Sequence, residues 1–380
     1  MRCCSAHTEL PDPFEAGQEL GLHLARIKPV LILVFASVHY EAWSEVHEGL
    51  LAGLGSDQVR IIGGTGDGVY ARAGVLDIGL CALGFHLDPG QTFAISTLMG
   101  AGATGAAGAA ASVQEILRIL PHPCLAISLL DGISCDGVLV ADGLATLPCP
   151  VIGGMATDSV QNVISRIFVD DRILTDALVL VAFSGPIRFR TCAVSGWTPV
   201  GQPGRVDEAE NRELRRINGL TAQEFVDRQF GRPVTDGELG IVPLALLDGA
   251  GGFSLRTFQS IDPLEGSFTN RANIPVGSQV QVADANQEDI LNAVDAIATT
   301  LSEIPFTPRC ILAISCCGRK EILGRNTIHE ITRLLTPWAP DLPFIGFSSG
   351  GELGPLQADE DSGPGTLFHN VTLVAAVLGE

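Results

Sequence analysis

Three amphipathic stretches along the chain are each followed by an almost continuous apolar run. Their apolar residues recur every three or four positions, which predicts helices that pack one face on a sheet. These stretches are FEAGQELGLHLARI from Phe14, SVQEILRIL from Ser112 and QEDILNAVDAIATTLSEI from Gln287. The apolar runs are LILVFAS from Leu31, CLAISLLDG from Cys124 and CILAISCCG from Cys310. Such runs predict strands that are covered on both faces.

Each apolar run leads to a second strand that ends in glycine, and then to a third apolar strand. The second strands read VRIIGGTGDG from Val59, CPVIGGMATDS from Cys149 and LPFIGFSSGGE from Leu342. The third strands read IGLCALGF, ALVLVAFSG and VTLVAAVLG. The same elements in the same order indicate internal repeats. We therefore predict an α/β fold of two domains, built from repeated helix–strand–helix–strand–glycine turn–strand units, with mixed sheets covered by helices.

The segment between Phe189 and Gln287 does not follow this unit. It contains RINGLTAQEFVDRQFG from Arg216, which has the spacing of a short helix. The stretch from Ser254 to Asp284 alternates as strands and turns do.

Charge and composition narrow the classes of partner. The formal charge of −20, from 43 acidic and 23 basic residues, repels phosphate backbones and anionic lipids, so we expect neither nucleic acid nor a membrane as partner. The N-terminus has no apolar signal region, and no charge-free apolar stretch is long enough to span a bilayer. The ten cysteines form no CxxC pair, which favours buried thiols in a reducing, cytoplasmic setting.

A glycine-rich segment offers an alternative function. The segment from Gly100 to Gly105, GAGATG, has the GxGxxG spacing of dinucleotide-binding turns, follows a strand-like run and precedes a helix. Asp131 closes the next strand, near where a ribose-binding acid would lie. The simpler interpretation is a tight alanine–glycine turn. The chain has no GxSxG, HExxH or P-loop signature, so we name no catalytic residue and lean away from an enzyme, while an enzyme of unrecognised chemistry stays open.

The glycine turns after the second strands are candidate ligand-binding loops. Bare backbone amides and small hydroxyls at strand ends bind polar or anionic ligands. The amino half offers Gly63, Gly64 and Thr65, and the carboxyl half offers Ser348, Ser349, Gly350, Gly351 and Glu352. The alternative is a tight turn in which glycine supplies a positive φ. Because each half has such a turn, we predict a cleft between the halves.

Further polar residues lie near strand ends in the carboxyl half. Cys317 lies close to Arg319, and a thiol near an arginine can become a nucleophile, although a structural thiol is the more common case. The guanidinium of Arg319 suits a carboxylate, which either a ligand or a structural partner such as Glu352 would supply. The last strand is preceded by three more candidates, His369, Asn370 and Thr372.

In the order of these motifs the chain resembles the FIST family, named for F-box and intracellular signal transduction. In the carboxyl half the resemblance rests on SCCGR from Ser315, GFSSGGE from Gly346, HNVT from His369, SLR from Ser254 and IPVGS from Ile274. In the amino half it rests on IGGT from Ile62 and PVIGG from Pro150. The amino half departs from the family pattern, because Val69 occupies the position that matches Glu352.

The resemblance implies a tail and first helix over residues 1–27, a FIST N-like domain over 28–200 and a FIST C-like domain over 201–380. It also implies a sensory module that binds a small ligand, with amino acids suggested, and that signals through a separate protein or acts alone. Some bacterial relatives resemble haem-based nitric oxide sensors. In that second interpretation His369, His86 or His39 would be the axial ligand. Otherwise we predict no cofactor and no metal site.

We therefore predict that a small polar molecule, such as an amino acid, binds between the two domains. Arg319 and Arg256 would bind its carboxylate, and Glu352 would bind its amine. The other residues assigned to this site are Ser348, Ser349, Gly350, Gly351, His369, Asn370, Thr372, Cys317, Gly63, Gly64 and Thr65.

Overall fold

Three mixed β-sheets enclose one apolar core in the computed structural model, which describes residues 1–158, 163–249 and 251–380. Helices cover the outer faces of these sheets, and a fourth, eight-stranded sheet is inserted in the carboxyl half. The predicted α/β fold, with mixed sheets under helices, is confirmed. No helix among the described residues is long and apolar enough to cross a membrane.

The amino half forms two blocks that contain helices and strands in the same order. The first block contains β1 (Arg2–Thr8), α1 (Pro13–Leu24), β2 (Leu31–Ser37), α2 (Trp43–Leu54), β3 (Arg60–Gly66), β4 (Val69–Ala71), β5 (Gly74–Leu76) and β6 (Leu80–His86). The second contains β7 (Thr92–Met99), α3 (Ala101–Ile119), β8 (Leu125–Asp131), α4 (Gly137–Leu144), β9 (Val151–Ala156), β10 (Ile167–Val169), β11 (Arg172–Leu174) and β12 (Ala177–Ser184).

The third block begins with β13 (Arg188–Val194) and is interrupted by the inserted unit. This unit contains β14 (Thr198–Glu210), β15 (Glu213–Ile217), β16 (Leu220–Thr221), α5 (Ala222–Phe230), β17 (Leu244–Leu247), β18 (Phe253–Arg256), β19 (Phe258–Asp262), β20 (Ser267–Asn270) and β21 (Gln279–Asp284). The block then continues with α6 (Gln287–Ser302), β22 (Pro308–Cys316), α7 (Cys317–Leu323), α8 (Thr327–Leu335), β23 (Phe344–Ser349), β24 (Glu352–Gly354), β25 (Gln357–Asp359), β26 (Leu367–His369) and β27 (Leu373–Gly379).

The sheets of the three blocks have the same strand arrangement. In each, the last two strands of the order form a parallel pair. The strand before them is antiparallel to this pair, and the first strand is the one that opens the block. The orders are β1-β6-β2-β3, β7-β12-β8-β9 and β13-β27-β22-β23. A strand from another block then extends each sheet: β10 pairs with β3, β24 with β9 and β4 with β23. No sheet is therefore complete without a second block.

The strands and helices predicted for the repeated units are all present, although the last residue of the second glycine segment, Ser159, lies outside the described residues. The prediction missed the strands that open the first and third blocks, β1 and β13, and the short hairpin before the last strand of each block; the strand-like run before Gly100 is β7. Hairpin strands of three residues, such as β4 and β10, contain too few positions to show a periodicity. Internal duplication itself stays a prediction.

The glycines of the second strands are required by close backbone approach. A Cβ atom at Gly63 would lie 1.9 Å from the backbone oxygen of Val34, and one at Gly153 would lie 1.8 Å from that of Ser128. Neither glycine has a positive φ, because both lie inside strands. The interpretation of these glycines as turn residues was therefore wrong; they mark places where a neighbouring strand passes too close for a side chain.

Candidate functional site

A cavity of about 250 Å³ lies where α4, β18 and β26 meet. These elements come from the second block, the inserted unit and the third block. The polar lining residues are Asp142, Ser254, Arg256, Thr366 and His369, and the apolar ones are Val138, Ala141, Phe253, Leu356, Leu367 and Phe368. Of the residues that the sequence analysis assigned to the site, this cavity brings together Arg256 and His369.

Arg256 is a buried cation without a carboxylate partner in the described part of the chain. Its side chain lines the cavity, and only 8% of the residue is exposed. Nη1 donates to the backbone oxygens of Leu255 at 2.8 Å and Phe368 at 3.4 Å, whereas Nε has no hydrogen-bond partner. Burial lowers the pKa of Arg256 to about 10, against the opposing effect of Asp136 and Asp142. The group is therefore charged at neutral pH and suited to an anion.

His369 lies in the same wall as a neutral ring. One ring nitrogen, Nε2, lies 2.9 Å from the backbone oxygen of Gly354, and only a protonated Nε2 can bond to that acceptor. Burial lowers the pKa of His369 to about 4. At neutral pH the ring therefore carries its proton on Nε2, and Nδ1 is left as an acceptor.

The cavity also has an acidic lining residue and apolar walls. Asp142 is exposed on α4, on the same helix face as Val138 and Ala141. Thr366 accepts a hydrogen bond from the amide of Val151 at 3.0 Å, so its own hydroxyl proton is available to a ligand. The lining of this cavity therefore combines a cation, a carboxylate, a hydroxyl donor and apolar side chains.

Sequence reasoning missed Asp142, Thr366 and Phe253. One pattern in the sequence pointed to Asp142: it follows Val138 by four positions, so the two residues lie on the same helix face, and both line the cavity. A second signal is Asp136, because an aspartate before an apolar run predicts the start of a helix, here the helix that carries Asp142. It caps α4 by accepting from Val138 at 2.9 Å and also accepts from the amide of Asn273 at 3.2 Å, which fastens α4 to the inserted unit.

Arg319, which we expected to bind a ligand carboxylate, is paired with a carboxylate of the chain itself. Its Nε donates to Glu330 Oε1 at 2.7 Å, and Nη2 lies 2.6 Å from the same oxygen without hydrogen-bond geometry. Nη1 donates to the backbone oxygen of Ser195. Both charged side chains are almost completely buried. The guanidinium therefore stabilises packing between α7 and α8, and the ion pair with Glu352 that we considered is not formed.

Glu352, which we expected to bind an amine, is also enclosed. It accepts hydrogen bonds from the Ser349 hydroxyl at 2.5 Å and from the Thr372 amide at 3.3 Å. Burial raises the pKa of Glu352 well above its usual range, and the neighbouring Cys316 adds to the effect. Both carboxyl oxygens thus have partners within the chain, and burial opposes the charged form that would attract an ammonium group.

The glycine loops are bonded to one another where the ends of β3, β9 and β23 meet. The amide of Thr157 donates to Thr65 at 3.0 Å, and that of Gly350 donates to Met155 at 3.0 Å. Gly63 and Gly64 lie in a sheet with a strand on each side, and Thr65 is completely buried. Their amides therefore face neighbouring strands, which corrects the expectation that they line a ligand cleft.

The remaining predicted wall residues lie in the same buried region. Asn370 accepts from the Thr257 amide at 3.2 Å, and the Thr372 hydroxyl donates to the Asn370 backbone oxygen at 2.9 Å. The Ser348 hydroxyl and the Asn370 Nδ2 have no partner among the described residues, and Gly351 packs against Phe368. Between Asn370 and Thr372, Val371 has a φ of 50°, which is strained for a β-branched residue.

Cys317 is buried and is not set up as a nucleophile. It begins α7 beside Cys316. Hydrogen bonding to Cys317, together with burial, raises the pKa of the Cys316 thiol well above its usual range. Reactive thiols need some exposure, and both residues are buried, so the pair has the character of packed structural cysteines.

The three candidate haem ligands lie in different places. His39 is exposed after β2, and the Nδ1 of His86 lies 3.0 Å from the backbone oxygen of Lys28. Only His369 of the three lines the cavity, whose 250 Å³ is smaller than the roughly 300 Å³ at which pockets for drug-sized ligands begin. A haem macrocycle does not fit there. Among the described residues no group of His, Cys, Asp and Glu is arranged for a metal ion.

The GAGATG segment holds a carboxylate of the chain in place of a phosphate. Asp176 Oδ1 accepts from the amide of Gly102 at 2.7 Å, and the Asp176 backbone oxygen accepts from Gly100 at 2.8 Å. The first free amides of α3 are thus occupied, and Gly105 interrupts the helix with non-helical angles. The segment lacks the open helix start that a pyrophosphate requires.

The fold is that of an α/β protein, and the cavity is built from three parts of the described chain. A model of the FIST N domain matches residues 30–220, and a model of the FIST C domain matches residues 220–355. The chain belongs to the FIST family, whose domains are sensory and signal-transduction domains.

Other comparisons add little. No curated protein matches the chain. Among solved structures, PurLQS from Thermotoga maritima matches at 11% identity over 99% of this chain and 72% of its own, with a TM-score of 0.20. Phosphoribosylformylglycinamidine synthase II from Thermotoga maritima matches at 11% identity over 99% and 71%, with a TM-score of 0.22. Scores this low carry no argument about fold or function.

Proposed function

We propose that this protein is a sensory module that binds a small polar ligand with a carboxylate, such as an amino acid, in the cavity between α4, β18 and β26. The observation that supports the proposal is the buried guanidinium of Arg256, which lines the cavity and has no carboxylate partner among the described residues. A buried charge is costly unless it is paired. A ligand carboxylate would supply the missing pair.

The lining assigns a role to each part of such a ligand. Arg256 would bind the carboxylate, Asp142 would bind an ammonium group, and Val138 with Phe368 would contact a short apolar side chain. This arrangement replaces the earlier assignment of the carboxylate to Arg319 and of the amine to Glu352, both of which have internal partners.

Signal output would follow from the position of the cavity. A bound ligand would contact the second block, the inserted unit and the third block at once. It would therefore favour the arrangement in which these parts are close together, and a separate signalling protein would detect that shift.

The test is a calorimetric titration of the protein with the twenty amino acids and with small carboxylic acids. We expect at least one to bind, and we expect Arg256→Gln to weaken it by about 10- to 100-fold, because a hydrogen-bonded charge pair is lost. Arg228→Gln, which changes an exposed arginine on α5 of the same inserted unit, is the matched control and should leave binding unchanged.

Two outcomes would contradict this placement. One is that ligand affinity is the same for Arg256→Gln and for Arg228→Gln. The other is that a conservative change at Ser349 abolishes binding in a folded protein while Arg256→Gln does not, which would move the site to the buried region around Glu352.

A further inference from the structure

The cavity lies between two strands that each stand at the edge of a sheet. β18 ends the inserted sheet, and β26 ends the sheet that is built on β9. The free edge of a strand presents unpaired backbone groups, which accept another extended chain. The gap between β18 and β26 is therefore bordered on each side by a strand edge that no other strand of the described chain pairs with.

The backbone of Phe368 faces the gap from the β26 side. Just before β24, Gly351 accepts from the amide of Met155 in β9 at 2.8 Å, so the next residue, Glu352, faces β26 and pairs with His369. By alternation Phe368 faces away from β24. Consistent with this, its backbone oxygen accepts from Arg256 across the gap.

The backbones of Phe253 and Leu255 face the gap from the β18 side. The amide of Thr257, just after β18, donates to the Asn370 side chain at 3.2 Å, so it points across the gap. Backbone direction alternates along a strand, so the groups of Leu255 and Phe253 point the same way. The intervening residues pair with β17 on the other side.

The gap is closed at one end and open at the other. The Arg256–Phe368 and Thr257–Asn370 hydrogen bonds join the strands at their carboxyl ends. At the amino ends, Phe253 and Leu367 are exposed. An extended chain that enters from the open end would run parallel to both strands, and its leading end would meet Arg256.

We propose that this gap binds the carboxyl-terminal residues of a partner protein as an extended segment beside β18. The inference rests on the proposed function, because the same Arg256 holds the carboxylate. Only the end of a chain brings a main-chain carboxylate and an extended backbone to one place. The outward backbone groups of Phe253 and the amide of Leu255 pair with the segment, and Arg256 binds its terminal carboxylate.

The rim of the gap specifies the chemistry of this partner. Inside the cavity the apolar wall of Val138, Ala141 and Phe368 favours an apolar last residue. Phe253 and Leu367 are exposed apolar side chains at the amino ends of the two strands. Asp142 is exposed and lines the cavity, and the whole chain carries a formal charge of −20. Basic residues upstream of the apolar carboxyl terminus therefore complement this surface.

The test uses fluorescein-labelled hexapeptides with Lys or Arg in the first half and Leu, Val or Phe at the end, each synthesised as the free acid and as the carboxamide. In fluorescence polarisation with the full chain, the acids should bind about 10- to 100-fold more tightly than the amides. This preference should disappear in Arg256→Gln and persist in Arg228→Gln. Phe253→Pro, which removes a backbone donor at the edge, should weaken peptide binding more than Phe253→Ala does.

Each other outcome overturns the inference. Equal binding of acids and amides would mean that Arg256 does not bind a terminal carboxylate. If a free amino acid binds in an Arg256-dependent manner and none of the peptides does, the small-ligand site stands and the peptide site is refuted. If neither binds, both are refuted. Equal effects of Phe253→Pro and Phe253→Ala would refute pairing with the edge of β18.

Discussion

Replacing Glu330 by alanine removes the carboxylate that compensates the buried charge of Arg319. The Arg319 side chain is 0% exposed and that of Glu330 is 2% exposed. Arg319 Nε donates to Glu330 Oε1 at 2.7 Å, and the Ser315 hydroxyl donates to Oε2 at 2.8 Å. Without Glu330 the guanidinium stays buried between α7 and α8 with the Ser195 backbone oxygen as its remaining acceptor.

The expected loss of stability follows from this burial. Breaking a buried ion pair by removing one partner costs about 3–5 kcal/mol, because the other charge is left uncompensated. The lost hydrogen bond from Ser315 adds about 1 kcal/mol. We therefore expect Glu330→Ala to lower the free energy of unfolding by at least about 3 kcal/mol. The double change Arg319→Met with Glu330→Leu should recover most of this loss, since no buried charge remains.

Urea denaturation followed by circular dichroism measures the effect. The matched control is Asp295→Ala, which removes a 2.7 Å ion pair with Arg333 that is largely exposed and involves the same α8. An exposed pair contributes about 0–1 kcal/mol, so this variant should remain close to the wild type. The reasoning is refuted if Glu330→Ala costs no more than Asp295→Ala, or if the double change is the least stable of the variants.

Two further perturbations test the strand contacts and the buried histidine. Gly153→Ala places a methyl group 1.8 Å from the Ser128 backbone oxygen, so it should lower the free energy of unfolding, measured by urea denaturation, by at least about 1–3 kcal/mol. The control Gly237→Ala has open space around it and should lower the same quantity by about 0.5 kcal/mol or less. Equal losses in the two variants would contradict the close approach of the two strands. In the unfolded state His369 is protonated below about pH 6.5, whereas in the folded state it is protonated only below about pH 4. The free energy of unfolding therefore falls by about 3 kcal/mol as the pH falls between these values. A series of urea titrations across this range should show a smaller loss for His369→Gln, and an unchanged loss would show that the ring is not buried as described.

Helices and strands whose apolar residues recur at a regular spacing were predicted closely. β2 begins and ends where the apolar run LILVFAS does, and α6 occupies Gln287–Ser302 within the predicted amphipathic stretch. Burial on one face or on both imposes a local pattern that can be read residue by residue. The short hairpin strands that link the blocks, such as β4 and β24, were missed because three residues contain too little pattern.

Individual site residues were predicted with less success than strands. Arg256 and His369 were both named, yet nothing in their sequence spacing showed that they share a cavity with Asp142. Arg319 was assigned to a ligand because its spacing from Glu330, eleven residues along the chain, gives no sign of an ion pair between two helices. The glycines were assigned to turns, although a neighbouring strand was the reason for them.

The sequence by itself determined the α/β class, the main strands and helices and the FIST family, because these depend on local periodicity and on motifs in a fixed order. Only the tertiary structure decided which polar groups are satisfied internally and which are not. Arg319 and Arg256 are chemically identical, but packing places Glu330 beside the first and a cavity beside the second. A side chain's partner is set by which distant segments meet around it, and a local pattern does not contain that information.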